Sequence, residues 1–213
     1  MTLLDRFRAQ SRQKHPDPAV RLAYVEELPL EERDAIFSIA REDEDPRVRK
    51  AAVAKLMDPA GLSQILAIDA DEGVRDQAAA MLRDIALDAF EGVGEAQSLD
   101  AVDALNDPRA LAQVAKTAGR EIVALRALSR ITDSHALGSI ARHGAVETVR
   151  RGAFDMLRER ADRGELIGVA MNGEHKDTAV AAVDLLADRA ELDQIAARSK
   201  NRGAVKRART LIR

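Results

Sequence analysis

The sequence predicts an all-α protein, a right-handed α-solenoid of about seven short helical hairpins, each ~26 residues long. Three observations carry this prediction. First, an Ile or Val with Ala one or two positions later recurs at Ile39, Ile65, Val114, Ile140, Val169 and Ile195, at intervals of 26, 49, 26, 29 and 26 residues. Second, a Val–Arg pair recurs at Val20-Arg21, Val48-Arg49, Val74-Arg75 and Val149-Arg150. Third, Asp-Pro stands at 17–18, 45–46, 58–59 and 107–108, each time ahead of an apolar stripe with helical spacing.

One stretch shows the whole unit. In the first helix, from Asp45, the positions Val48, Ala51, Ala52, Lys55 and Leu56 fall at i, i+3, i+4, i+7 and i+8, and all but Lys55 are apolar. Met57-Asp58-Pro59 makes a tight turn, and Ala60 to Asp69 forms a second helix built on Leu62, Ile65 and Leu66. The Asp of each Asp-Pro accepts hydrogen bonds from the free N–H groups of the first turn, and Pro already has a helical φ. Asp133, followed by Ser134, is expected to cap in the same way. One such hairpin cannot bury its apolar side alone, so neighbours must stack. The 49-residue interval implies an irregular insertion near 88–98, around Gly92 and Gly94. Residues 1–15 read as a flexible start or a short helix, and 16–213 as the array. Its last repeat is incomplete: Ala204, Val205, Ala208, Leu211 and Ile212 form a first-helix stripe with no second helix after it.

Composition agrees. Hydrophobic residues make up 46% and charged residues 32%, whereas aromatics are only 2%, with no Trp and a single Tyr. An Ala-rich, aromatic-poor chain suits close helix contacts better than β-packing. With no Cys, disulfides and thiolate metal sites are excluded. No apolar run approaches the roughly 20 residues of a membrane span. Met1 to His15, apolar only at Leu3, Leu4 and Phe7, is not expected to act as a signal peptide, and a cytoplasmic, bacterial protein is expected.

The repeat resembles HEAT repeats in a compact form, through its alternation of Asp-x-x-Val-Arg-x-x-Ala with Leu-x-x-Ile-Ala. More narrowly, Arg6-Phe7, His15-Pro16-Asp17-Pro18-x-Val20-Arg21 and Arg198-x-Lys200-Asn201-Arg202-x-x-Val205-x-x-Ala208-Arg209 are similar to the N-terminal array of bacterial proteins with domain of unknown function 349. That resemblance implies a helical array followed by a charged C-terminal region, and it implies no activity.

No chemistry-bearing pattern emerges. The four histidines, His15, His135, His143 and His175, form no HxxxH or HExxH spacing, no serine sits in G-x-S-x-G, and no Gly-rich phosphate loop is present. No catalytic residue, metal site or cofactor is expected, and the chain reads as non-enzymatic. Charge is the remaining signal. Residues 1–107 hold 13 Lys/Arg and 23 Asp/Glu, a net −10, whereas residues 108–213 hold 20 and 13, a net +7. Such asymmetry points to a binding role. Arg109, Lys116, Arg142 and Arg198 fall on second helices, which line the concave surface in HEAT-like arrays; Lys200, Arg202, Lys206, Arg207 and Arg209 would extend that stripe.

The expected function is an interaction scaffold with a protein partner. The alternative is contact with the backbone of duplex DNA or structured RNA through the basic half. A HEAT-like DNA glycosylase is a further alternative, disfavoured because only Tyr24 could join Phe in stacking on a base. A structural Asp/Arg ladder is expected from Arg49, Asp58, Arg75, Asp133 and Arg150, since Asp58 and Asp133 each precede an arginine by 17 residues.

Overall fold

The computed structural model describes residues 12–213, and every described element is helical. The expected start over 1–15 falls mostly outside these residues. Arg12 is tied to the first helix by two hydrogen bonds to Glu27, at 2.5 and 3.1 Å, and its guanidinium lies over the Tyr24 ring.

The helices fall into two compact units, divided between Leu105 and Asn106. The first unit contains α1 (Pro18–Glu27), α2 (Arg33–Glu42), α3 (Pro46–Val53), α4 (Pro59–Ile68), α5 (Glu72–Ala86) and α6 (Glu95–Ala104). The second contains α7 (Pro108–Thr117), α8 (Glu121–Ser129), α9 (Ser134–His143), α10 (Glu147–Glu159), α11 (Arg163–Asn172), α12 (Lys176–Asp184), α13 (Arg189–Arg198) and α14 (Arg202–Ile212).

Helix starts follow the sequence signals. Asp17, Asp45, Asp58 and Asp107 each accept from a backbone N–H of the first turn, with Pro next, and Asp133 accepts from Ala136 N at 2.7 Å. Asp71, Asp162, Asp188 and Asn201 cap α5, α11, α13 and α14 without a proline.

Packing repeats within each unit. Alternate helices stack on one another: α1 on α3 and α3 on α5, α2 on α4, then α7, α9, α11 and α13 in one row and α8, α10, α12 and α14 in the other. The intimate antiparallel pairs are each second helix with the first helix that follows, as in α2–α3, α4–α5, α9–α10 and α13–α14. The turns ahead of α4, α7, α9 and α13 instead sink an apolar residue two positions before the capping Asp: Leu56, Leu105, Ile131 and Leu186 are all buried. Alanine fills the tightest contacts, with Ala40, Ala52, Ala78, Ala127, Ala153 and Ala182 fully enclosed, which lets helix axes approach closely.

The irregular segment is shorter than the sequence suggested. It covers 87–94, with positive φ at Asp88 and Gly92, whereas Glu95 to Gln97 already belong to α6. The buried Ser98 hydroxyl donates to Ile85 O at 3.1 Å and fastens α6 to the end of α5. The Gln97 amide reaches Met57 O at 2.5 Å. Helix α6 follows this segment and packs on α4 and α5.

Candidate functional site

The repeated arginines form a ladder, though not in the register expected. Arg49 donates through Nη1 to the carbonyls of Asp43 and Glu44, closing the turn ahead of α3, and through Nε and Nη2 to both oxygens of Asp69 at 2.8 Å. Arg21 does the same with His15 O, Pro16 O and Asp43. The carboxylates come from the C-terminal ends of α2 and α4. Asp58 and Asp133 accept from helix N-termini and pair with no arginine among the described residues, which corrects the expected ladder. Arg75 and Arg150 make only the turn-closing half, to Asp69 O and Ala70 O, and to Gly144 O and Ala145 O.

The Arg49 hydrogen bonds hold the Asp69 carboxyl below the ordinary carboxylate value, burial opposes this, and the Asp71 N–H adds to it. Arg21 and Arg49 are both held above the ordinary arginine value, chiefly by their Asp partners. Asp45, bonded to the side chain and backbone of Arg47, is lowered to about 2.

In the second unit the turns before α10, α12 and α14 are joined to the preceding repeat by backbone. Ala145 N donates to Lys116 O at 2.9 Å, Glu174 N to Arg142 O at 3.1 Å, and Lys200 N to Met171 O at 2.9 Å. The buried Asn201 reinforces this by donating to Gly173 O at 2.9 Å while its oxygen caps α14.

The turns before α12 and α14 edge an open groove of about 910 Å³ that runs over α9 and α11. Arg142, Lys176, Lys200 and Arg202 line it, against Glu165 and Glu174, with His135 and His143 beside them. Its floor is a network in which the Glu165 carboxylate takes Arg142 Nη1 at 2.8 Å and meets His135 Nδ1 at 2.9 Å. Two helical glycines make room for it. A Cβ on Gly138 would lie 1.9 Å from Glu165 Oε2, and one on Gly168 would lie 2.9 Å from Arg142 Nη1. His143 faces Glu174 at 2.9 Å on the rim.

The groove therefore gathers Arg142, Lys200 and Arg202 from the predicted stripe. Arg202 also borders a smaller cavity of about 410 Å³ with Lys206 and Arg209 on α14 and Arg213 just past its end. Arg207 is drawn away into an ion pair with Asp184. Arg109, Lys116 and Arg198 line neither cavity, so the single stripe resolves into separate groups. Lys176, Glu165 and the two glycines went unrecognised in the sequence. A glycine in a helix interior costs about 1 kcal/mol against alanine, so Gly138 and Gly168 were the available signal of close approach.

No protein-family model, curated protein or solved structure matches this chain.

Proposed function

We propose that this protein is a non-enzymatic interaction scaffold that grips an acidic segment of a protein partner in the groove over α9 and α11. The observation that carries the reading is the convergence there of Arg142, Lys176, Lys200 and Arg202 around a built floor, with only Glu165 and Glu174 opposing them. Arg142 is largely neutralised by Glu165, which leaves Lys176, Lys200 and Arg202 as exposed cations free to meet a ligand. A groove edged by backbone-linked turns presents these charges at fixed spacing, which reduces the ordering cost of binding.

In the same proposal the whole chain is a right-handed α-solenoid of HEAT-like hairpins, cytoplasmic and bacterial, akin to the N-terminal array of proteins with domain of unknown function 349. Row-by-row stacking of alternate helices within each unit supports it. A second reading, contact with a nucleic-acid backbone, is favoured by one observation: Arg202 belongs both to the groove and to the cavity with Lys206 and Arg209, which lengthens the basic surface along α14.

Fluorescence anisotropy separates the two. The chain is titrated into a labelled poly-glutamate peptide, duplex DNA and a structured RNA, from about 50 to about 300 mM salt. Binding of the peptide that is lost in the Lys200→Glu, Arg202→Glu double variant supports the scaffold. Binding of either nucleic acid in preference to the peptide supports the second reading, and binding of none refutes both.

A further inference from the structure

The groove over α9 and α11 is lined by two carboxylates and two histidines, and they are paired one to one. His135 Nδ1 meets Glu165 Oε1 at 2.9 Å, and His143 Nδ1 meets Glu174 Oε1 at 2.9 Å. An ionised carboxylate only accepts, so in each pair Nδ1–H donates and Nε2 is left as the atom that takes a second proton. Both rings are open to solvent for that step, their side chains being 82% and 37% exposed. His15 and His175 line other cavities.

Glu165 is shared. Its Oε2 accepts from Arg142 Nη1 at 2.8 Å while its Oε1 faces His135, so one negative charge answers two donors. With His135 neutral, that charge balances Arg142. With His135 protonated, the imidazolium balances the carboxylate and Arg142 becomes a surplus cation. Glu174 lines the groove with Lys176 and Lys200, and His143 balances it in the same way. Arg142, Lys176, Lys200 and Arg202 against Glu165 and Glu174 leave a net +2 with both rings neutral and +4 with both protonated.

The other charges around the rings are accounted for. Asp133 and Asp162 cap helices, and Arg163 is held by Glu191. Helix α7 brings Arg109 and Lys116, α10 brings Glu147, Arg150 and Arg151, and α12 brings Lys176 and Asp177. None of these is a histidine, the side chain whose charge ordinarily changes between about pH 5 and 8.

We propose that the groove is a pH-gated anion site, in which protonation of His135 and His143 cancels Glu165 and Glu174 and frees Arg142 for ligand. The protonated groove binds an anion more tightly, so binding takes up protons and affinity rises as pH falls. That the ligand is an acidic protein segment rests on the scaffold reading; the charge gate does not.

Two measurements on the full chain test it. Without ligand, the ¹⁵N NMR signal of Arg142 Nε–H is followed from about pH 8 to about pH 6. It is expected to move in step with the His135 ring signals and to stop moving in His135→Gln. An Arg142 signal that ignores His135 overturns the gate, whatever a ligand does. With labelled poly-glutamate peptide, anisotropy is expected to give about fivefold tighter binding at about pH 6 than at about pH 8. The His135→Gln, His143→Gln double variant is expected to bring that ratio to about one, which also excludes titration of the peptide as its source. A ratio that the double variant leaves unchanged overturns the proposal. Binding at neither pH, alongside an Arg142 signal that follows His135, refutes the acidic peptide as occupant and supports the gate, so the two failures are distinguishable.

Discussion

Arg49 meets Asp69 through two parallel hydrogen bonds, Nε to Oδ2 and Nη2 to Oδ1, both 2.8 Å long, with the two side chains only 13% and 6% exposed. Because Arg49 also closes the turn before α3, one guanidinium couples the start of its own helix to the end of α4. Removing one partner strands the other: Asp69→Ala is expected to destabilise the first unit by about 3 kcal/mol. Urea unfolding checks this, and the Asp69→Leu, Arg49→Met double variant is expected to recover part of the loss. If the single and double variants lose the same amount, the pair carries no coupling.

The same pair sets an acid limb. Asp69 and Asp45 have folded-state values below their unfolded ones, so the stability they contribute is complete above the ordinary carboxyl value of 3.8. It is lost as pH falls through the depressed values, toward about 2 for Asp45. Unfolding free energy measured against pH is expected to fall across this window. In Asp69→Asn the fall should be shallower, because that residue no longer takes up a proton on unfolding. An unchanged slope would mean that other carboxylates account for the acid limb.

Much of the fold was legible because its punctuation is local. An Asp accepting from the first helical turn needs only its own neighbours, and the Asp-Pro positions and Asp133 all cap where the sequence placed them. The ladder was legible in its arginines and not in its acids. Asp58 and Asp133 were read as partners for arginines of the next repeat, but each faces the first turn of its own helix and accepts there from backbone N–H groups. Asp43 and Asp69, at helix C-terminal ends, each accept one backbone N–H and still meet an arginine with both oxygens. The groove needed three dimensions: Lys176 and Lys200 are 24 positions apart in the chain and meet only because successive turns are stacked. Gly173, the residue that leaves Arg150 without its acid, could have been noticed once the correct register was known.

Gly138 tests the floor of the groove. In Gly138→Ala the new methyl falls on Glu165 Oε2, the mobile end of a side chain, so Glu165 swings away and helix α9 stays intact. Alanine's helix preference, about 1 kcal/mol over glycine, offsets the lost ion pair, and stability is expected to change little. Arg142 loses its carboxylate and becomes available to ligand. Anionic peptide should then bind severalfold more tightly, with a steeper salt dependence, in the anisotropy titration. Weaker binding would show that the Glu165 network holds the groove in its binding shape.

Asn201 separates capping from cross-repeat bonding. Its oxygen accepts from Gly203 N and Ala204 N, and its Nδ2 donates to Gly173 O at 2.9 Å, all in a residue that is 8% exposed. Asp107 caps α7 without any such second bond in its cap geometry, so Asp107→Ala is expected to cost about 1 kcal/mol. Asn201→Ala removes a cap and leaves the Gly173 carbonyl without that donor, and about 2 kcal/mol is expected. Asn201→Asp isolates the second part. It keeps an N-cap acceptor and improves it with charge, yet it sets a carboxylate oxygen against the Gly173 carbonyl. If capping dominates, Asn201→Asp is as stable as the parent in urea. If the link between repeats dominates, it falls close to Asn201→Ala, and that second outcome is the one expected, because the bond it breaks is buried and the cap it improves is worth a few tenths of that loss.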